Sequence, residues 1–241
     1  MSPIVVAGMA GSGTTHLWWV LSHDPLVRNR FCEPLDPDLP HQIQKLDHYK
    51  DYARKRQIYR FWDPVFSWNK PVLNMGDTYP ELKQYLKYIL RGRTLVKTNS
   101  MNLRLAWLRS NFRGIKIIYL VRDPRAVAST HQFGILPSIE LWKINIEYVM
   151  KIYDTNFKLI RYEDLCLDIN GTLKSIYEFL GRKPPYGVQV FAAIGRGAQD
   201  WSSRTSIGTL TEWKKTLGVD WKNVVCDADI SELMHQFGYK V

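Results

Sequence analysis

The run Ile4-Val5-Val6-Ala7-Gly8-Met9-Ala10-Gly11-Ser12-Gly13-Thr14-Thr15-His16 decides the fold of this 241-residue chain. Its first four residues are apolar and mostly β-branched, which reads as a buried strand. The glycines and hydroxyls that follow at once read as a tight turn into a helix N-terminus. Such a turn aims several backbone N–H groups at one point and adds the positive end of a helix dipole, which makes an anion site, most often for phosphate. The spacing of Gly8, Gly13 and Thr15 matches a nucleotide-binding P-loop except that Thr14 stands where the lysine belongs. The loop is expected to hold an anion, but not in the manner of an ATPase.

Working outward, Thr14 to Ser22 reads as a helix with Leu17, Trp18, Val20 and Leu21 inward, halted by His23-Asp24-Pro25. Residues 31–80 are rich in proline, aromatics and charge and show no long period. They read as a lid or acceptor-binding insertion with short helices, one around Pro40 to Tyr59, and with Trp62, Trp68 and Tyr79 available for flat ligands. Regularity returns with a helix near Pro80 to Leu90, a strand at Thr94 to Lys97, and a helix from Asn102 to Asn111 with Leu103, Ala106 and Trp107 on one side. Ile115 to Val121 is a near-continuous apolar run, the mark of a central parallel strand. It ends at Arg122-Asp123-Pro124, and the proline opens a helix over Arg125 to Gln132. A longer helix covers Pro137 to Asp154, with Trp142, Ile146, Val149, Met150 and Tyr153 as its core face. Phe157 to Ile160 is a strand, and Asn170 to Leu180 a helix stopped by Gly181. Alternating strands and helices predict an α/β, P-loop-type three-layer fold with a mostly parallel sheet, as one domain over residues 1–241. Ligands of such sheets bind beyond the carboxyl ends of the strands, where the glycine loop, Lys97, Arg122 and Tyr162 all fall.

Composition narrows the partners. Lysine and arginine number 33 against 23 acidic residues, a formal charge of +10, which favours an anionic ligand. The basic residues are scattered, so a nucleic-acid partner is not expected. Cys32, Cys166 and Cys226 have neither metal-like spacing nor an even count, which points to a reducing compartment without a disulfide framework. No signal peptide or membrane span is visible, so the chain as written reads as cytoplasmic, with the Golgi lumen as its setting if it is a domain of a longer protein. The triplet Asn170-Gly171-Thr172 is a glycosylation sequon, relevant only to a secreted protein. Oligomeric state is not legible.

An ATPase or kinase needs its loop lysine on the phosphates and a strand-end aspartate on magnesium. Here the lysine is missing and the central strand runs into Arg122. Neutralisation by side chains rather than by a metal is expected. Gly11-Ser12-Gly13-Thr14-Thr15 resembles the 5′-phosphosulfate loop of sulfotransferases that use 3′-phosphoadenosine 5′-phosphosulfate (PAPS). Tyr119-Leu120-Val121-Arg122-Asp123-Pro124-Arg125-Ala126-Val127-Ala128-Ser129-Thr130 is similar to their 3′-phosphate segment. Leu159-Ile160-Arg161-Tyr162-Glu163-Asp164-Leu165, running into Ile176-Tyr177-Glu178-Phe179-Leu180-Gly181, is similar to their later strand and helix. Ser203-Arg204-Thr205-Ser206 with Trp213, and a closing helix over Cys226 to Tyr239, resemble the carbohydrate branch. The likeness implies a PAPS-dependent sulfotransferase acting on a hydroxyl acceptor, a carbohydrate by branch, with no metal.

Each match has a physical reading. Gly11, Ser12, Gly13, Thr14 and Thr15 would present amides and hydroxyls to the 5′-phosphate, glycine allowing close backbone approach. Arg122 would grip the 3′-phosphate with its planar fork, and Ser129 and Thr130 would complete the cradle. Arg204 either reaches the same phosphate or is a plain surface ion. Tyr162 either lines the adenine, as the resemblance implies, or packs beneath the sheet edge. Glu163 and Asp164 read as structural, capping or pairing with arginines.

Two departures from the family pattern matter. Gly11 stands where a lysine or arginine usually precedes Ser-Gly-Thr, so one sulfate-neutralising charge is missing; Lys97 and, secondly, His16 are the candidates to replace it, although a histidine lining a helix is more often structural, and a gain in rate on restoring a lysine at position 11 would show that the missing charge limits catalysis. Asn99 falls where the cytosolic branch has a histidine base, and an amide nitrogen takes no proton. Phe31-Cys32-Glu33-Pro34-Leu35 is similar to the Glu-Pro-Leu element of the carbohydrate branch, which makes Glu33 the expected base for in-line attack of the acceptor hydroxyl on sulfur. A reference glutamate pKa of about 4.3 means that partial burial is needed to bring it toward working pH. Two other readings stay open: a P-loop kinase or nucleotide hydrolase that lacks the lysine, marked by magnesium-dependent ATP turnover, and a non-catalytic nucleotide-binding protein, marked by nucleotide binding without turnover.

Overall fold

The computed structural model describes residues 2–32, 83, 86–87, 89–99, 101–130, 134–186, 188, 210–215 and 218–240. Strand β1 (Ile4–Gly8) runs into helix α1 (Thr14–Ser22), and β2 (Asn29–Cys32) returns beside it. Strand β3 (Thr94–Thr98) is followed by a 3₁₀ turn at Asn102–Arg104 and α2 (Leu105–Asn111). Then come β4 (Lys116–Val121), α3 (Pro124–Thr130), α4 (Ile135–Ile152), β5 (Phe157–Arg161), α5 (Tyr162–Leu167) and α6 (Ile169–Phe179). After a 3₁₀ turn at Glu212–Lys215, α7 (Trp221–Asp227) and α8 (Ser231–Gln236) close the described chain.

The five strands pair in the order β2-β3-β1-β4-β5, every pair parallel. Side chains alternate across a strand, so each strand feeds two cores. Val5, Ala7, Val96, Ile117, Tyr119 and Val121 face one side, against Trp107, Trp142, Val225 and Met234. Ile4, Val6, Leu95, Ile118, Leu120 and Ile160 face the other, against Leu17, Leu21, Leu173 and Tyr177. Helices on both faces of a parallel sheet make three layers. The chain leaves β1 toward the β2 edge and later crosses from β3 to β4 on the opposite side of β1. The reversal opens a crevice at the carboxyl end of β1.

The structure corrects several expectations. Phe31 and Cys32 belong to β2, so the insertion begins no earlier than Glu33; β2 escaped notice because an edge strand exposes Asn29 and Arg30 and carries no apolar run. The expected helices at Pro40–Tyr59 and the aromatics Trp62, Trp68 and Tyr79 lie outside the described residues. The helix expected from Asn102 begins as a 3₁₀ turn. On α4, Trp142, Ile146 and Val149 are buried as the period demands, but Met150 and Tyr153 are 44% and 48% exposed at its free end. The closing helix is two, broken where Asp229 takes a positive φ of 50°. Among the described residues no helix is long and apolar enough to cross a membrane, and the three cysteines are free thiols.

Candidate active site

The glycine loop is held from below before it can hold anything. Gly8 N donates to Asn102 Oδ1 at 3.0 Å, tying the end of β1 to the turn after β3. Thr14 Oγ1 donates to Asn99 Oδ1 at 3.0 Å, so the single hydroxyl proton of Thr14 is committed to the β3 end rather than to a ligand. Ser12 is 1% exposed and its amide closes a turn onto Met9 O at 3.0 Å. Two of the expected phosphate donors, the Ser12 amide and the Thr14 hydroxyl, are therefore used internally. The helix ladder starts with Leu17 N on Gly13 O, which leaves the amides of Thr14, Thr15 and His16 at the open, positive end of α1.

Gly13 has φ 85° and a Cβ there would meet the Tyr162 ring at 2.2 Å. That ring is 1% exposed. The Arg122 guanidinium lies over it, with Cζ 4.5 Å from the centroid. Tyr162 is thus packed between the loop and Arg122.

Arg122 follows directly on β4, is 6% exposed, and donates through Nη1 to Gly11 O at 2.8 Å. Thr130, at the far end of α3, also reaches Gly11: a Cβ at position 11 would stand 2.9 Å from Thr130 Oγ1. Thr130 Oγ1 donates to Val127 O at 2.9 Å and Ser129 Oγ to Ala126 O at 3.0 Å, so both present lone pairs outward and donate inward. Gly11 itself has φ 86°. A side chain there meets both an unfavourable backbone and a close contact, which accounts for glycine at this position.

The peptide between Arg122 and Asp123 is bound at both ends. Trp142 Nε1 donates to Arg122 O at 2.9 Å, and Asp123 N donates to Glu163 Oε1 at 3.0 Å. The Asp123 carboxylate accepts from Arg125 Nε at 3.0 Å and Nη2 at 2.7 Å, a bidentate pair with the Arg125 face stacked 4.0 Å over Trp213. Glu163 Oε2 in turn accepts from Tyr239 OH at 2.8 Å. Burial is the main cause pushing the Glu163 carboxyl pKa up, against three hydrogen bonds and Arg161 that pull it down.

Lys97 sits one residue from the end of β3, 5% exposed, in register with Val6 and Cys32 and on the sheet face that α1 covers. His16, in the first turn of α1, is half-buried, and desolvation pushes its pKa down. Desolvation thus works against a standing positive charge on this ring. Glu33 and Arg204 lie outside the described residues. Among the described residues no cluster of His, Cys, Asp or Glu could hold a metal.

Asn102, Trp142 and Tyr239 were missed. They act on the loop and on Arg122 through backbone groups, over separations of 94 residues for Gly8 and Asn102 and 20 for Arg122 and Trp142. No local pattern in the sequence marks such partners.

A parallel sheet with a glycine turn after its central strand, an open helix end, and an arginine at the next strand end define a P-loop-type α/β protein. The sulfotransferase family model matches residues 3–185, and the chain belongs to that family. Carbohydrate sulfotransferase 1 of Danio rerio is 28% identical over 165 residues, 52% of this chain but only 38% of that relative, so the chain spans well under half its length. The sulfotransferase domain of the Synechococcus PCC 7002 olefin synthase superposes with a TM-score of 0.58 at 17% identity, covering 99% of this chain and 95% of its own. Mouse sulfotransferase SULT7A1 complexed with PAP gives 0.58 at 16% identity, covering 97% and 85%. These likenesses are of fold.

Proposed function

We propose that this chain moves a sulfuryl group from PAPS to a hydroxyl of a carbohydrate acceptor. The observation that carries the reading is the convergence on Gly11: Arg122 donates to its carbonyl, and Thr130 Oγ1 lies where a Cβ on it would point. One anion site at the α1 end and another at Arg122 therefore share a wall, as a nucleotide phosphorylated at both 3′ and 5′ positions requires. Glycines at positions 11 and 13 let Thr130 and the Tyr162 ring close against the loop.

In this reading the amides of Thr14, Thr15 and His16 and the Thr15 hydroxyl hold the 5′-phosphosulfate. Arg122 holds the 3′-phosphate, joined by Ser129 and Thr130 once their hydroxyls turn from Ala126 O and Val127 O to donate to it, and Tyr162 supports both from beneath. Lys97, fixed near the carboxyl end of β3, faces the charge that develops on the leaving phosphate. Glu33 takes the acceptor proton, and Arg204 adds charge to the 3′ side. Asp123, the residue a kinase would turn toward magnesium, is instead tied to Arg125. The carbohydrate acceptor is supported by the likeness to a carbohydrate sulfotransferase and by the Glu33-Pro34-Leu35 element.

Isothermal titration of adenosine 3′,5′-bisphosphate (PAP) against wild type and Arg122→Ala, beside transfer of labelled sulfate from PAPS to a panel of glycans, tests it. Tight PAP binding that Arg122→Ala weakens, together with glycan labelling that Glu33→Gln abolishes, is expected. No PAP binding, or magnesium-dependent ATP turnover in its place, overturns it.

A further inference from the structure

We infer that Glu163 and Tyr239 are positioning residues that set the preference for a nucleotide bearing a 3′-phosphate, by fixing the backbone from which Arg122 projects. The inference rests on the reading of Arg122 given above.

The peptide unit after Arg122 has both of its polar groups tied to side chains. Its carbonyl accepts from Trp142 on α4 at 2.9 Å, and its N–H donates to Glu163 on α5 at 3.0 Å. Two bonds from opposite directions fix the plane of that peptide, hence ψ of Arg122 and the direction in which its side chain leaves the strand. Glu163 is itself oriented by Tyr239, whose hydroxyl donates to the second carboxylate oxygen at 2.8 Å. Tyr239 is 5% exposed, and the Arg161 guanidinium lies over its ring at 4.8 Å. The chain of support therefore runs from α8's C-terminal side through Tyr239 and Glu163 to the Arg122 backbone.

Bulk stability does not account for this carboxylate. Burial raises its pKa in spite of the hydrogen bonds it accepts, so its ionised form costs folding free energy at neutral pH. Its neighbour Tyr162 lies under the Arg122 guanidinium. One helix turn thus sets both the backbone and the platform of the same arginine.

The test compares affinities for PAP and for AMP, which differ only in the 3′-phosphate, in wild type, Glu163→Ala, Glu163→Gln, Tyr239→Phe and Arg122→Ala. Loss of one hydrogen bond to a charged group corresponds to roughly tenfold in affinity. The PAP-to-AMP ratio is expected to fall by about that factor in Glu163→Ala and by a smaller factor in Tyr239→Phe, with AMP affinity unchanged. Glu163→Gln, which keeps an acceptor for Asp123 N, should recover most of the ratio. A role in stability alone lowers the melting temperature or weakens both nucleotides together and leaves the ratio at its wild-type value, which overturns the inference. A ratio lost in Arg122→Ala but kept in the other variants overturns it alone, whereas a ratio kept in Arg122→Ala overturns the reading of Arg122 and the inference with it.

Discussion

Gly11 lies directly against Thr130: a Cβ added to the glycine would stand 2.9 Å from the threonine hydroxyl oxygen, on a backbone whose φ is 86°. At the loop position that carries a cation in the family pattern, a side chain would meet the Thr130 hydroxyl from a left-handed backbone. Gly11→Lys should therefore lower stability by about 1–2 kcal/mol, the penalty of a left-handed L-residue, and leave labelled sulfate transfer no faster than in wild type. Melting curves and initial rates measured on the same preparations check this. A faster, equally stable variant would show that the loop can re-form around a side chain.

Arg122 contributes a plane as well as a charge. It donates to Gly11 O while its face rests on the Tyr162 ring, and lysine reproduces neither the fork nor the stack. Arg122→Lys should weaken PAP binding by roughly tenfold or more, as expected for loss of a charged bidentate contact. Titration calorimetry at one fixed salt concentration decides it, and wild-type affinity in the lysine variant would reduce the arginine to a point charge.

How far the sequence could be read follows from how far apart the interacting residues lie. The helix Thr14–Ser22 and the strand beginning at Thr94 were legible because hydrophobic period and turn residues act locally. Arg122 stood out as a cation after an apolar run. Strand β2 was hidden because an edge strand needs no buried face on both sides. Thr14 reads as a phosphate donor from the loop alone, yet Asn99, 85 positions away, accepts its hydroxyl hydrogen bond. His16 reads from the sequence as either a charge or a structural histidine, and burial, which the sequence does not display, pushes its pKa down.

Asp24 anchors the end of α1 to the α6 side of the sheet. It is 1% exposed, accepts from Tyr177 OH at 2.9 Å and Leu26 N at 2.9 Å, and pairs with Arg182. Asp24→Ala would leave a buried phenol and a largely buried guanidinium without their acceptor, a loss on the order of 3–5 kcal/mol. Urea denaturation followed by tryptophan fluorescence measures it. A loss below about 1 kcal/mol would place this trio among ordinary surface pairs.

His16 predicts a pH dependence of both stability and nucleotide binding. Desolvation lowers its folded pKa beneath the usual value of 6.5. As pH falls past 6.5 the unfolded chain takes up the proton first. Stability is therefore fully present above that pH and is lost progressively down to the folded pKa. His16→Gln should flatten this part of the curve of melting temperature against pH. A doubly phosphorylated nucleotide at the α1 end reverses the balance, because a nearby anion favours the imidazolium. PAP binding near pH 6 should then draw in more protons in wild type than in His16→Gln, the phosphates of PAP, which themselves titrate near this pH, exchanging protons in both, and the buffer dependence of the calorimetric enthalpy should differ between the two proteins accordingly. The same buffer dependence in both would put the imidazole out of reach of the phosphates, and with it the role assigned to the first turn of α1.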